Sequence, residues 1–498
     1  MWLRALRWLA VALAASCLGA YEGCTLMGSL NEPTPGVLDA LHAHADPPVP
    51  VSPPVARRVV IVVIDGLGAD AFDARWRESP LADAPWHVTL DSGVPSRSRP
   101  VYHELLTGVP AWASGIRSNV YAKGRADSVA DRVRAAGGKV AWMLEEVPWF
   151  CDLFCAPGDI VVEGREVESP AAFARVWDAA PALIVVHLVD VDEAGHQHGA
   201  DSPAYEEASR HAFATVAALR DVTRSKPGAN DVLWLVGADH GHTAHGGHGG
   251  PEPEVRRVSW IAFSNAPFHA DWGAAAVKPM TPVASLAPTI AKVLGILPPR
   301  ESMTDGLPLL PADLGPPFFA DVARVRAVEE ARAATDARPL ENARSRAILI
   351  LGVLGATFAG LVGFRRRRGR AEAAVFAIAI AGFLTVGPGL SMSSSRTEIG
   401  YLAHGLVTLA IFAGAAWVYA RRSASPWVVA SVSFVFPILA LVAMRGSLGR
   451  SDVTPLESVL WPSLGLVPPS VCTAIAVVEA ALFGWRHRSG ASGPNTMG

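Results

Sequence analysis

Five cysteines in 498 residues are too few to frame a disulfide scaffold, and a formal charge of −3 lacks the excess that marks a nucleic-acid binder or a disordered chain. Lysine is absent from the last 153 residues, which hold 13 Arg and only five acids (Glu372, Glu398, Asp452, Glu457 and Glu479), a balance of +8. The first 345 residues therefore carry −11. Histidine is scarce at the same end: 13 of the 15 lie at or before His269, leaving His404 and His487. The near-neutral total, with 50% hydrophobic residues and a mean hydropathy of +0.28, sums two unlike polymers. One is aqueous and histidine-rich, the other apolar.

Charge is missing altogether from Ala347 to Phe364, Ala373 to Ser395, Ile399 to Ala420, Ser423 to Met444 and Ser458 to Val478. A helix rising about 1.5 Å per residue needs about 20 residues to cross ~30 Å of hydrocarbon, so five membrane spans are expected. The basic loops Arg365 to Arg370, Arg421-Arg422 and Arg486 to Arg488 follow alternate spans and share one side. By the positive-inside rule that side is the cytoplasm, and everything before Ala347 lies outside it. Arg4 and Arg7 ahead of an apolar stretch from Trp8 to Ala20 read as a signal peptide or signal anchor, which agrees. Within the spans, Glu479 and His404 are ionisable, and Glu479 stands near the Arg486 end.

The expected organisation is a signal segment over 1–24, a Pro-rich linker over 25–57, a catalytic domain over 58–312, a charged juxtamembrane segment over 313–346, five spans within 347–488 and a tail over 489–498. The catalytic domain would lie outside the cytoplasm, attached to a multi-pass membrane region. In it, aliphatic runs recur at Val59 to Ile64, Val140 to Leu144, Leu183 to Val189, Val232 to Val236 and Val258 to Phe263. Such unbroken runs suit strands buried on both faces, as in a parallel sheet. Helical patterns lie between them at Ser128 to Ala136, Ala204 to Arg224 and Ala284 to Leu294. The alternation predicts an α/β domain with a mainly parallel central sheet flanked by helices, whose ligands bind beyond the carboxyl ends of the strands.

Those strand ends carry Asp65, then Asp190 and Asp192 with Gly195-His196, then Asp239-His240, and the tract running on to His242, His245 and His248 adds imidazoles. Carboxylate and imidazole are ligands of Zn²⁺, Mn²⁺ or Fe²⁺. Three strand ends with one chemistry point to a metal site. Asp190 is expected to orient a ligand, and His198, His242 and His245 to be loop histidines near the site. Cys151 and Cys155, with no other ligands beside them, are expected to form a local disulfide in an oxidising compartment.

Val62-Val63-Ile64-Asp65-Gly66, Pro95-Ser96-Arg97-Ser98-Arg99-Pro100, Asp192-Glu193-Ala194-Gly195-His196, Gly237-Ala238-Asp239-His240-Gly241 and Gly247-His248-Gly249 resemble, in order, the motifs of the alkaline-phosphatase superfamily. The branch is that of the type I phosphodiesterase/nucleotide pyrophosphatases, related to the ethanolamine-phosphate transferases of GPI-anchor synthesis. Residues from about Val59 to Leu310 carry the resemblance. It implies two divalent ions, Zn²⁺ or alternatively Mn²⁺. Asp65, Asp239, His240 and Ser98 would hold one, and Asp192, His196 and His248 the other. Ser98 would be the nucleophile, and Asn119 matches a family asparagine expected to contact substrate. Val101 replaces an asparagine found after the motif proline in many nucleotide pyrophosphatases.

A serine hydroxyl is a poor nucleophile near neutrality, and a dication on its oxygen stabilises the alkoxide. The expected function is a membrane-anchored two-metal phosphoester hydrolase of the phosphodiesterase kind, forming a covalent phospho-enzyme on Ser98. The alternative is a phosphoethanolamine-type transferase with a lipid-linked acceptor. A sulfatase would want Arg where Tyr102 stands. A non-catalytic receptor or assembly factor is the reading of another class, against which every ligand position is filled. The expected partners are a phosphoester substrate and the membrane, with no nucleic acid.

Overall fold

The computed structural model describes residues 53–307, except 118, 120–123, 125, 146–148, 251, 265–280 and 305, together with Glu330. The expected signal segment, most of the linker and the five expected spans, with Glu479 and His404, lie outside the described residues. Among the described residues no helix is long and apolar enough to cross a membrane.

Seven strands form one sheet: β1 (Arg58–Ile64), β2 (Trp86–Asp91), β3 (Val140–Leu144), β4 (Ile160–Glu163), β5 (Leu183–Leu188), β6 (Val232–Gly237) and β7 (Arg257–Phe263), in the order β2-β7-β6-β1-β5-β3-β4. The helices are α1 (Ala69–Glu78), α2 (Ser98–Thr107), α3 (Ala111–Ser114), α4 (Val129–Ala135), α5 (Trp149–Phe154), α6 (Pro170–Asp178), α7 (Asp190–His198), α8 (Pro203–Thr223), α9 (Pro253–Arg256) and α10 (Leu286–Val293). One group packs α8 against α1, α6 and α7, and another packs α10 against α2 and α4. Every residue from Val59 to Ile64, Leu183 to Leu188 and Val232 to Gly237 is buried, so both faces of the central strands are covered. That is the reason these runs show no alternation of polar and apolar residues.

The sheet is mixed. Strand β7 runs antiparallel to both β6 and β2, although its aliphatic run reads like the others. A parallel return needs a crossover of a dozen or more residues that travels back along the sheet, and among the described residues the only helix between β6 and β7 is the four-residue α9. The chain lingers at the carboxyl end of β6, lays down the His-Gly tract and turns straight back. The end of the expected linker belongs to the fold: Ala56 is buried, and the Val55 and Ala56 amides donate to the Val293 carbonyl at 2.8 and 3.2 Å.

Candidate metal centre and nucleophile

Parallel register sets the site. Ile64 of β1 pairs with Leu188 of β5, and Val63 with Gly237 of β6, so the three central strands end level with one another. Just beyond these ends stand Asp65, helix α7 carrying Asp192 and His196, and Asp239-His240. Asp192 and His196 are four apart on α7 and share its face, with His196 Nε2 3.5 Å from Asp192 Oδ2. Ser98 is the first residue of α2, where the helix dipole favours negative charge.

Around Ser98 the side chains converge. Its Oγ lies 3.2 Å from His240 Nε2, which is also 3.4 Å from Asp65 Oδ1 and 3.3 Å from Asp239 Oδ2. Asp239 Oδ1 accepts the Gly66 N–H at 3.1 Å, whereas its Oδ2 and Asp65 Oδ1 are buried with no hydrogen-bond partner. Two orphaned carboxylate oxygens facing one imidazole nitrogen fit a cation between them, since buried polar atoms are otherwise paired. A second donor set, Asp192, His196, His242 and His248, has its ligating atoms within 4.8 Å of one another, and Asp192 also groups with Asp65 and His240. The donors expected for two cations are therefore gathered into adjoining sets.

The imidazoles are oriented by backbone. His240 Nδ1 lies 3.3 Å from the Gly241 carbonyl and His248 Nδ1 3.1 Å from that of Ser96. A carbonyl only accepts, so these Nδ1 atoms carry the protons and Nε2 is left bare toward the site. Burial lowers His240 to about 4, and burial followed by the neighbouring His240 lowers His248, which favours the neutral imidazole in both. Burial, then the charge of Asp65, raises Asp239 well above the carboxylate range. Burial acts to raise Asp192, but its contacts with His242, His248 and His196 outweigh that and hold the carboxyl low.

Three contributors escape a reading of motifs. Tyr102 of α2 donates its hydroxyl to Asp65 Oδ2, and His187 of β5 places Nε2 2.9 Å from the same oxygen and 2.7 Å from the Tyr102 hydroxyl. They hold one Asp65 oxygen and leave the other to the site. The signal for His187 is an imidazole inside an otherwise aliphatic run. Tyr205 of α8 donates to the Gly66 carbonyl at 2.6 Å and accepts the Gly68 N–H at 3.0 Å, pinning the loop after β1.

Asn119 Oδ1 accepts the Arg99 N–H at 3.1 Å, so it caps the start of α2 next to Ser98. The Arg99 side chain is buried and bound to Asp152 at 2.8 Å, beside Cys151 and Cys155, which are joined as a disulfide. Asp190 turns away from the donor sets, with its carboxylate 2.8 Å from Arg165. That guanidinium also lies 3.6 Å from Glu168, placing a positive charge beside the cluster of Glu168, Asp190 and His211. His198 and His245 are exposed, but His242 is 2% exposed and lies within the second donor set.

Residues 165–289 match the family model of the type I phosphodiesterase/nucleotide pyrophosphatases. Residues 165–289 are thus similar to that family, and Asp192, His196, Asp239, His240 and His248 fall within the matched span. Human GPI ethanolamine phosphate transferase 3, catalytic subunit, is 32% identical over 185 residues, covering 34% of this chain and 16% of the relative. The Mus musculus protein of the same name is 31% identical over 189 residues, with the same coverage of 34% and 16%. The chain thus spans about a sixth of the length of these curated relatives. Similar solved structures include murine ectonucleotide pyrophosphatase/phosphodiesterase 5, with a TM-score of 0.31 and 18% identity over 37% of this chain and 57% of that one. Another is an alkaline phosphatase superfamily protein from Vibrio parahaemolyticus, with a TM-score of 0.36 and 14% identity over 52% and 75%.

Proposed function

We propose that this chain is a membrane-anchored, two-metal phosphoester hydrolase of the phosphodiesterase type, with Ser98 as nucleophile and the site outside the cytoplasm. The observation that carries the reading is the meeting of Ser98 Oγ with His240 Nε2 at 3.2 Å, next to carboxylate oxygens of Asp65 and Asp239 that are buried without partners. Asp65, Asp239, His240 and Ser98 would hold one cation, and Asp192, His196 and His248 the other, as Zn²⁺ or Mn²⁺. Two such ions, when bound, supply Lewis acidity toward the serine oxygen and the oxygens of the phosphoryl group.

The residues do the rest. Ser98 Oγ, its hydroxyl proton passing to water, attacks phosphorus in line with the leaving alkoxide, forming the Oγ–P bond as the P–O bond to the leaving group breaks and the leaving oxygen takes a proton from water. The start of α2 turns the positive end of its dipole toward the negative phosphoryl oxygens. Asn119 fixes that helix start through the Arg99 N–H, and so positions Ser98. Tyr102 and His187 hold the Asp65 carboxylate in one orientation. Water then attacks the same phosphorus, the Oγ–P bond breaks, and the Ser98 oxygen takes a proton from the attacking water and is restored as the hydroxyl. The disulfide of Cys151 with Cys155 supports an oxidising compartment, and the apolar stretches after Ala347 support a membrane attachment.

The name of the curated relatives favours a second reading, in which an alcohol of a lipid-linked acceptor takes the place of water. The test is turnover of a chromogenic phosphodiester and a phosphomonoester by the purified full chain after chelation and re-addition of Zn²⁺ or Mn²⁺. Wild type is expected to recover with metal, and Ser98→Ala to lose at least about 10³-fold in turnover. Unchanged turnover by Ser98→Ala would remove the nucleophile assignment. Transfer of label from phosphatidylethanolamine to a lipid acceptor, without hydrolysis, would select the second reading.

A further inference from the structure

Within the second donor set, His242 has the geometry of a ligand. Its Nδ1 lies 3.0 Å from the Gly246 carbonyl, so in the neutral ring that nitrogen carries the proton and Nε2 presents its lone pair. Nε2 stands 2.8 Å from Asp192 Oδ1, an oxygen that also faces His248 Nε2 at 3.8 Å. Two acceptors at such a distance need a positive centre to satisfy both. The ring is 2% exposed and meets the rings of His196 and His248 at 4.9 and 5.0 Å between centroids for His196–His242 and His242–His248.

The surroundings are shaped to admit this imidazole. A Cβ at Gly195 would stand 2.5 Å from His242 Cδ2, and one at Gly66 would stand 2.9 Å from His242 Nε2. Gly195 lies inside α7, where glycine costs about 1 kcal/mol relative to alanine. Gly66 has φ +74°, which suits glycine independently. At Gly195 the ring of His242 is the steric reason for the missing side chain.

We propose that His242 is a fourth protein ligand of the second cation, giving it one carboxylate and three imidazoles and a preference for Zn²⁺ over Mn²⁺. The proposal rests on the two-metal reading and adds a residue to it. An imidazole-rich donor set follows the general order in which Zn²⁺ is bound more tightly than Mn²⁺, and here holds a single residue, Asp192, with the oxygen donors that suit Mn²⁺. His242 is thereby distinguished from His198 and His245, which share its tract or helix end but are exposed.

The experiment uses the full chain in detergent, stripped and reloaded with Zn²⁺ or Mn²⁺, with affinities read by competition against a chromophoric chelator and imidazoles counted by X-ray absorption. Wild type is expected to take two Zn²⁺ ions. His242→Gln keeps a hydrogen-bond donor for Asp192 but no imidazole, and is expected to lose about 10- to 100-fold in Zn²⁺ affinity at one site, with one imidazole fewer. His242→Cys, which offers a thiolate in place of the ring, is expected to keep tight Zn²⁺ binding, and circular dichroism of the stripped proteins checks folding. Wild-type affinity and imidazole count in His242→Gln would overturn the proposal, as would loss in both variants, which marks a packing role. A wild type that binds no metal would instead overturn the two-metal reading itself.

Discussion

Ser98 and His240 are 142 positions apart in the chain, yet their side chains meet at 3.2 Å, because one begins a helix and the other follows the end of a central strand. The carboxylates and imidazoles at the ends of aliphatic runs were legible, since charge directly after a buried strand is conspicuous. Tyr102 and His187 were not, because neither stands directly after a strand and their link to Asp65 exists only in three dimensions. Glu104 of α2 escaped for the same reason. It is 5% exposed, accepts the Ala111 N–H at 2.7 Å, and burial pushes its carboxyl up to about 8. A carboxyl raised on folding contributes stability in full below its unfolded pKa and loses it as pH climbs through the folded one. Glu104→Gln keeps the acceptor and cannot ionise. Urea unfolding at pH 5 and pH 8 should therefore show a fall of a few kcal/mol in wild type, on the order set by the shift, and a much smaller fall in the variant.

Among the elements, the helices expected at Ser128 to Ala136 and Ala204 to Arg224 appear as α4 and α8, each announced by a serine cap. Ser128 Oγ accepts the Asp131 N–H at 3.1 Å, and the Asp131 carboxylate accepts the Ser128 N–H at 3.0 Å. Ser128→Ala should cost about 1 kcal/mol in chemical denaturation, and Ser128→Asp should recover most of it. Direction was harder to read than type. β7 is as aliphatic as its parallel neighbours, and its reversal follows from the shortness of α9. β2 and β4 gave no run to detect: in β2 buried and half-buried positions alternate, and β4, at the sheet edge, is four residues long.

For the whole molecule, the split between an acidic, histidine-rich part and a basic, apolar part was plain in composition alone. The described domain accounts for the first part, and its site draws on β1, β5 and β6 at the middle of the sheet. Cations bound to the folded domain and not to the unfolded chain would stabilise it by mass action. At 100-fold saturation a ligand adds about 2.7 kcal/mol, and a domain of this size gains about 2–4 °C per kcal/mol. Scanning calorimetry of the full chain should show the domain's melting temperature falling by roughly 5–10 °C per released ion on chelation, and recovering with Zn²⁺. An unchanged temperature would mean that no cation had been held.

The contact of Gly195 with the ring of His242 makes two positions, 47 apart in sequence, answerable to each other. Alanine at 195 would favour α7 as a helix but collide with the imidazole, whereas a smaller residue at 242 would open the space. The tolerated alphabet at each position is thus conditional on the other. A chain of this type that carries a side chain at position 195 should have given up the ring at position 242, and with it the histidine that most enriches this end of the sheet.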